Sequence, residues 1–172
     1  LAASCGCLML YAASSLPLPI IPGDETQPAL HVSEVTGDAR AVARWFSRPH
    51  VYYVGAHTGC GCGFNSGAMA LEELNDAAAV MQLLDALTDE QRRDFLAEQD
   101  TRQRLSAYLA DAGREAVELY ACWSGDEAET PKEGPTVPPA WFASVTEPLR
   151  ERALYRIERP LTPPPPARGH GA

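Results

Sequence analysis

The stretch His50-Val51-Tyr52-Tyr53-Val54-Gly55-Ala56 is rich in β-branched and aromatic residues and is apolar at both parities of a pleated chain. Such a run suits a strand buried on both faces, so a central strand is expected here. Beyond it lies His57-Thr58-Gly59-Cys60-Gly61-Cys62-Gly63, a glycine-rich loop carrying two thiols and an imidazole. The chain opens with a second copy of the same short unit, Cys5-Gly6-Cys7. Four of its five cysteines therefore sit in two Cys-Gly-Cys pairs.

Working outward toward the N-terminus, Leu8 to Ala12 is a short apolar run that reads as a buried strand. The segment from Leu16 to Pro28 holds four prolines, which remove backbone donors and fix φ, and reads as an extended surface connection. Leu30 to Val35 alternates as a weaker, edge-type strand. Gly37-Asp38 opens a short helix through Phe46, with Asp38 as the N-cap and Val42, Trp45 and Phe46 facing inward. Pro49 keeps Arg48 out of helical geometry and ends it.

On the other side, residues 68 to about 114 carry helical periodicity. Leu71, Leu74, Ala78, Met81 and Leu84 form one stripe, and Leu105, Tyr108, Leu109 and Ala112 another. Thr88-Asp89-Glu90-Gln91 between them has the form of a capping box, and Gly113 that of a C-terminal stop. Strand character returns at Ala116 to Cys122, followed by a turn containing Asp126 and Glu127. Residues 128 to 139 read as a loop, Ala140 to Val145 as a helical turn, and Arg152 to Glu158 as a half-exposed strand.

These elements give a single α+β domain over residues 1–159: a mixed sheet of about five strands with helices mainly on one face. A proline-rich tail follows at 160–172. The length and the 45% hydrophobic content are sufficient for one core. The order also predicts where the sulfurs go. If strand 8–12 runs antiparallel to strands 50–56 and 116–122, both Cys-Gly-Cys pairs and Cys122 reach the same rim of the sheet.

A Cys-x-Cys pair in extended backbone separates its Cα atoms by about 7 Å, given a rise of ~3.3 Å per residue. Sulfurs bound to one zinc must approach more closely, each being ~2.3 Å from the metal. Gly6 and Gly61 would resolve this by allowing positive φ and a tight chelating turn. The expected ligands are Cys5, Cys7, Cys60 and Cys62, with Cys122 and His57 as substitutes or hydrogen-bonding neighbours of the metal ligands. Zinc is the expected metal, with copper(I) as the alternative for a soft thiolate set. Iron–sulfur clusters use wider spacings. No nucleotide or organic cofactor is indicated, since the sequence has no phosphate loop, serine nucleophile elbow or dinucleotide fingerprint.

A formal charge of −9 disfavours nucleic acid as a partner, because phosphate binding relies on clustered Lys and Arg. No segment is apolar for the ~20 residues a membrane span needs. The odd cysteine count and the close-set pairs fit a reducing, cytoplasmic setting better than a disulfide scaffold. Leu1 to Cys5 has the outline of the end of a lipoprotein signal, but its usual preceding regions are not in the sequence, so a lipid-anchored or exported form is not expected. Three readings of function remain: a structural or regulatory metal-binding protein, a thiol–disulfide oxidoreductase using one Cys-Gly-Cys pair, and a non-enzymatic adaptor recruiting a protein partner through its acidic surface and proline-rich tail. Whether the chain is an enzyme stays open at this level.

Overall fold

The computed structural model describes residues 6–65, 67, 71, 77–112, 116–144 and 146–158. Six strands form one sheet: β1 (Leu8–Ser14), β2 (His31–Glu34), β3 (His50–Gly55), β4 (Val117–Trp123), β5 (Lys132–Val137) and β6 (Ala153–Ile157), in the order β2-β3-β1-β4-β6-β5. Every neighbouring pair is antiparallel except β5 with β6, which is parallel. Among the described residues, the α-helices α1 (Ala77–Ala86) and α2 (Asp89–Ala112) lie between β3 and β4, and 3₁₀ turns occupy Gly37–Trp45, Gly61–Phe64 and Pro139–Ala143. The architecture is the expected single-sheet α+β fold.

Strand 50–56 is interior, as its composition implied, but the middle of the sheet belongs to β1 and β4. Leu10, Tyr11, Ala12 and Ala13 are all inaccessible to solvent, as are Leu119 to Cys122. One face of these strands (Leu8, Leu10, Ala12, Val54, Leu119, Ala121) packs on Leu105, Tyr108 and Leu109 of α2. The other face, with Tyr11, Tyr120 and Cys122, is closed by Val42, Trp45 and Phe46 from the 3₁₀ turn and its end. Helical cover is thus on one face, and the second is sealed by a thinner layer.

The sixth strand, β5, falls in the segment that composition marked as loop. Gly134, Pro135 and two charged residues depress its strand propensity, yet an edge position tolerates all of them, because one side needs no partner and charge there discourages edge pairing. Its register with β6 shifts between Glu133 and Thr136, where the proline sits. A Cβ at Gly134 would lie 2.5 Å from the Leu154 carbonyl oxygen, so only glycine lets the strands close.

Three local expectations change as well. Residues Gly37–Trp45 form 3₁₀ rather than α-helix, and the N-cap is Thr36, without a side-chain bond, rather than Asp38. Gly37, at φ 59°, opens the turn two residues earlier than a helix capped by Asp38 would. The stripe from Leu71 to Leu84 is only partly inward: Leu71 is buried, whereas Ala78 and Met81 are exposed. Leu74 and the Gly113 stop lie outside the described residues, as does the tail from residue 160.

The capping box forms as read. Gln91 N–H donates to Thr88 Oγ1 at 3.2 Å, and Thr88 N–H donates to Gln91 Oε1 at 2.9 Å. The helix it starts runs unbroken for 24 residues, with buried positions Glu98, Thr101, Arg102, Leu105, Tyr108 and Leu109 at 3- and 4-residue spacings. Arg102 is almost wholly buried. Its guanidinium donates to the carbonyls of Phe64 (2.5 Å) and Glu147 (2.6 Å), with the Glu98 carboxylate nearby. Asn65 completes the junction by pairing both ways with the Leu149 backbone, at 2.9 and 2.6 Å.

Arg102→Ala is expected to cost about 3–5 kcal/mol, since it strands buried acceptors and leaves Glu98 without its cation. Arg104→Ala, which loses only an exposed pair with Asp100, should cost under about 0.5 kcal/mol. Urea unfolding of both variants by circular dichroism checks the contrast.

Candidate metal centre

Register brings the two ends of the proposed site together. Leu10 is level with Val54 in the antiparallel β1–β3 pair, which carries the start of β1 alongside the residues after β3. There the chain turns tightly: Gly59 N–H donates to the Ala56 carbonyl at 2.9 Å, and Ala56 N–H to the Cys60 carbonyl at 3.1 Å. Gly59 holds φ 80°, a conformation that favours glycine. Cys60 is extended (φ −137°, ψ 177°) and leads into the 3₁₀ turn Gly61–Phe64, so the second Cys-Gly-Cys bends by entering a helical turn.

Gly61 serves a different purpose from the positive φ expected of it. A Cβ there would sit 2.8 Å from the Leu8 carbonyl oxygen, so glycine permits backbone to cross backbone. Gly63 is similar, since its Cβ would meet Ala56 Cβ at 2.7 Å and His57 Cε1 at 2.9 Å. These close approaches put Cys7, Cys60 and Cys62 together, with their sulfurs all within 4.8 Å of one another. All three residues are half-buried thiols.

The cluster is close enough to hold a metal ion. Tetrahedral zinc–thiolate bonds of ~2.3 Å imply sulfur separations of about 3.8 Å, so small side-chain rotations suffice. The donor set is entirely soft sulfur, which fits zinc or copper(I) rather than magnesium or calcium. Polar groups already face the sulfurs: Leu8 N–H donates to Cys62 Sγ at 3.2 Å, and the Thr58 hydroxyl lies 3.6 Å from Cys60 Sγ. N–H and O–H groups aimed at sulfur stabilise thiolate and are common around bound metals.

The electrostatics divide the thiols. Burial opposes ionisation of Cys60, but hydrogen bonds from Thr58, the Cys62 backbone and the neighbouring thiols outweigh it and hold Cys60 below the usual thiol range. Cys62 is pushed up to about 11, chiefly by burial, which Leu8 N–H partly offsets while the Cys60 charge adds to it. Ionisation is thus eased at one sulfur of the group and opposed at another. A cation in the middle would displace the proton from the second.

The remaining candidates fall elsewhere. Cys5 lies outside the described residues. Cys122 reaches the same end of the sheet, yet it is fully buried with Tyr11 and Tyr120 on the face that the 37–45 turn covers, and it is not among the clustered sulfurs. Cys122 pairs with Met9 inside the strand, one residue before its end, whereas the sulfurs of the group lie beyond the strand ends. His57 turns toward α2, where Nδ1 lies 3.1 Å from Thr101 Oγ1, and it is likewise outside the sulfur cluster. Glu127 accepts from the Tyr11 hydroxyl at 3.1 Å and Asp126 belongs to the adjoining turn, so both are near Cys122 rather than near the sulfur group.

Tyr53 is a member of the site that motif reading passes over. Its hydroxyl donates to the Gly59 carbonyl at 2.9 Å, and its pKa is pushed up to about 12 by burial and then by Cys60, Cys7 and Cys62. Strand alternation was the available signal, because Tyr53 shares a face with Tyr11 and lies seven residues before Cys60.

Burial, followed by Glu127 and Asp126, pushes the Cys122 thiol up to about 12 from its ordinary 9.0. A folded value above the unfolded one contributes stability that is intact below pH 9 and is lost as pH rises toward 12. The thermal midpoint of metal-free protein should therefore fall across the alkaline range, less steeply in Cys122→Ala. Equal slopes would mean that the thiol ionises alike in folded and unfolded chains. Comparison with models of known families, with curated proteins and with solved structures finds no match to this chain.

Proposed function

We propose that this protein holds one thiophilic metal ion, zinc in preference to copper(I), in a thiolate site whose role is structural or regulatory. Cys7, Cys60 and Cys62 would supply three ligands and Cys5 the fourth. The observation that carries the reading is the convergence of three sulfurs, from two distant parts of the chain, within 4.8 Å. Zinc is preferred because four thiolates make a closed tetrahedral shell, the arrangement of structural zinc sites. A closed shell has no position for substrate, which favours a clamp over hydrolysis. The clamp would tie the N-terminal segment to the loop after β3, and oxidation of its thiolates would release both the metal and the tie.

Metal analysis by mass spectrometry on untagged protein, with thiol titration before and after chelation, tests the reading. One equivalent of zinc protecting four thiols is expected. Cys7→Ser and Cys62→Ser should lose the metal, whereas Cys122→Ser should retain it. Metal-free protein with a reducible disulfide inside one Cys-Gly-Cys pair would overturn the proposal in favour of a thiol oxidoreductase. Chelation should lower stability by a few kcal/mol, since a ligand held only by the folded state at 100 times its Kd contributes about 2.7 kcal/mol.

Gly61→Ala offers a test in which every thiol is kept. Its new methyl would press on the Leu8 backbone and separate the two halves of the site. Zinc affinity should fall at least about tenfold in a competition titration with a chromogenic chelator, whereas Gly6→Ala, which meets only the Trp123 ring at an ordinary 3.5 Å, should keep it.

A further inference from the structure

On the opposite side of the same loop from the sulfurs, His57 and Thr58 border a cavity of about 380 Å³ whose other described walls come from α1, α2, Leu71, Gly67 and the connection between the helices. Leu71, Leu83, Leu84 and Phe95 make most of it apolar. Its charged groups are both carboxylates, Asp94 and Glu98, and no Lys or Arg lines it among the described residues. The volume lies within the ~300–1,000 Å³ of small-molecule sites.

The protonation pattern of His57 follows from its neighbours. Thr101 Oγ1 donates to the Ala97 carbonyl at 2.8 Å, which commits its hydrogen. It can then only accept from His57, so Nδ1 carries a proton, and in the neutral ring Nε2 is the lone-pair nitrogen. Glu98 is occupied on its inner side, where Oε2 accepts from Gly67 N–H at 2.6 Å and Arg102 balances its charge. Asp94, one turn nearer the helix start, is exposed at the mouth and is in no ion pair among those the structure shows. Gln91 Oε1 is taken by Thr88 N–H, which leaves its amide N–H₂ as a side-chain donor in the wall; the carboxylates only accept, and Asp94 brings a charge that no other lining residue among those described cancels.

We propose that this cavity binds a small organic ammonium ion, its apolar body against Leu71, Leu84 and Phe95 and its N–H groups toward Asp94 and His57 Nε2. Apolar area retains the body, and charge-assisted hydrogen bonds orient the head. A carboxylate or phosphate of the same size would be repelled by Asp94 and would gain little beyond the Gln91 amide as a donor. This site is separate from the thiolate cluster and does not depend on a metal there, although Thr58 borders both.

The matched probes are 2-phenylethylammonium and 3-phenylpropionate, titrated into the full chain with and without added zinc and followed by NMR shifts of His57 and the wall methyls. The ammonium ion should bind saturably, one per chain, and the anion should not. Asp94→Asn should weaken binding at least about fivefold, whereas Asp100→Asn, an identical charge change on an exposed residue paired with Arg104, should alter it less than about twofold. Leu84→Trp, which fills the cavity, should abolish binding while leaving the far-ultraviolet circular dichroism unchanged. Equal binding of the anion, equal weakening by the two asparagine variants, or undiminished binding to a folded Leu84→Trp protein would each overturn the proposal.

Discussion

The crossing of Gly61 over the Leu8 carbonyl is the contact on which the rest of the site depends. Two backbone segments more than fifty residues apart can approach this closely only where no Cβ intervenes. Once they do, Leu8 N–H reaches Cys62 Sγ, and Cys7, Cys60 and Cys62 share one small volume. The underside is held by Arg102 on the Phe64 carbonyl and Asn65 on Leu149, which fix the exit of the same 3₁₀ turn. A loop of small residues is thereby pinned at both levels, by sheet register above and by buried polar bonds below.

That pinning gives the loop two chemically different sides. Sulfur faces the rim of the sheet beside Tyr53, while the imidazole of His57 faces α2. Thr58 joins the two, accepting from Gly63 N–H and donating to the Cys60 carbonyl. Soft donors and nitrogen are therefore kept apart within three residues of sequence, which explains why a histidine next to a cysteine pair is not part of the sulfur cluster.

Much of this was legible before any coordinates. The Thr88–Gln91 box follows from local chemistry, and the meeting of Cys7 with Cys60 and Cys62 follows from the strand assignments once β1 is taken to run antiparallel to β3 and β4, as it does. What was not legible depends on neighbours. β5 exists because β6 gives its weak sequence a partner, and the Gly37–Trp45 turn stays 3₁₀ because it lies as a thin cover on Tyr11 and Tyr120. Cys122 reached the expected end of the sheet but lies within the strand, buried with Tyr11 and Tyr120, instead of joining the sulfur group beyond the strand ends. The role of Gly61 was assigned to φ when the real demand is space, because sequence shows which residue is small and not what passes beside it.

The buried stripe of α2 starts only at Glu98, although the helix starts at Asp89. Its first nine residues have no fully buried side chain, and α1, which precedes them, exposes Met81. The chain accordingly has a stability gradient along a single continuous helix: the C-terminal two-thirds unfolds only with the sheet, while the first turns and α1 can open as a separate cooperative unit. Amide hydrogens at 89–97 should then exchange far faster than those at 101–109, with the boundary at the Glu98–Arg102 pair. The wall of the cavity belongs to the part that opens, and the floor under the thiols to the part that does not.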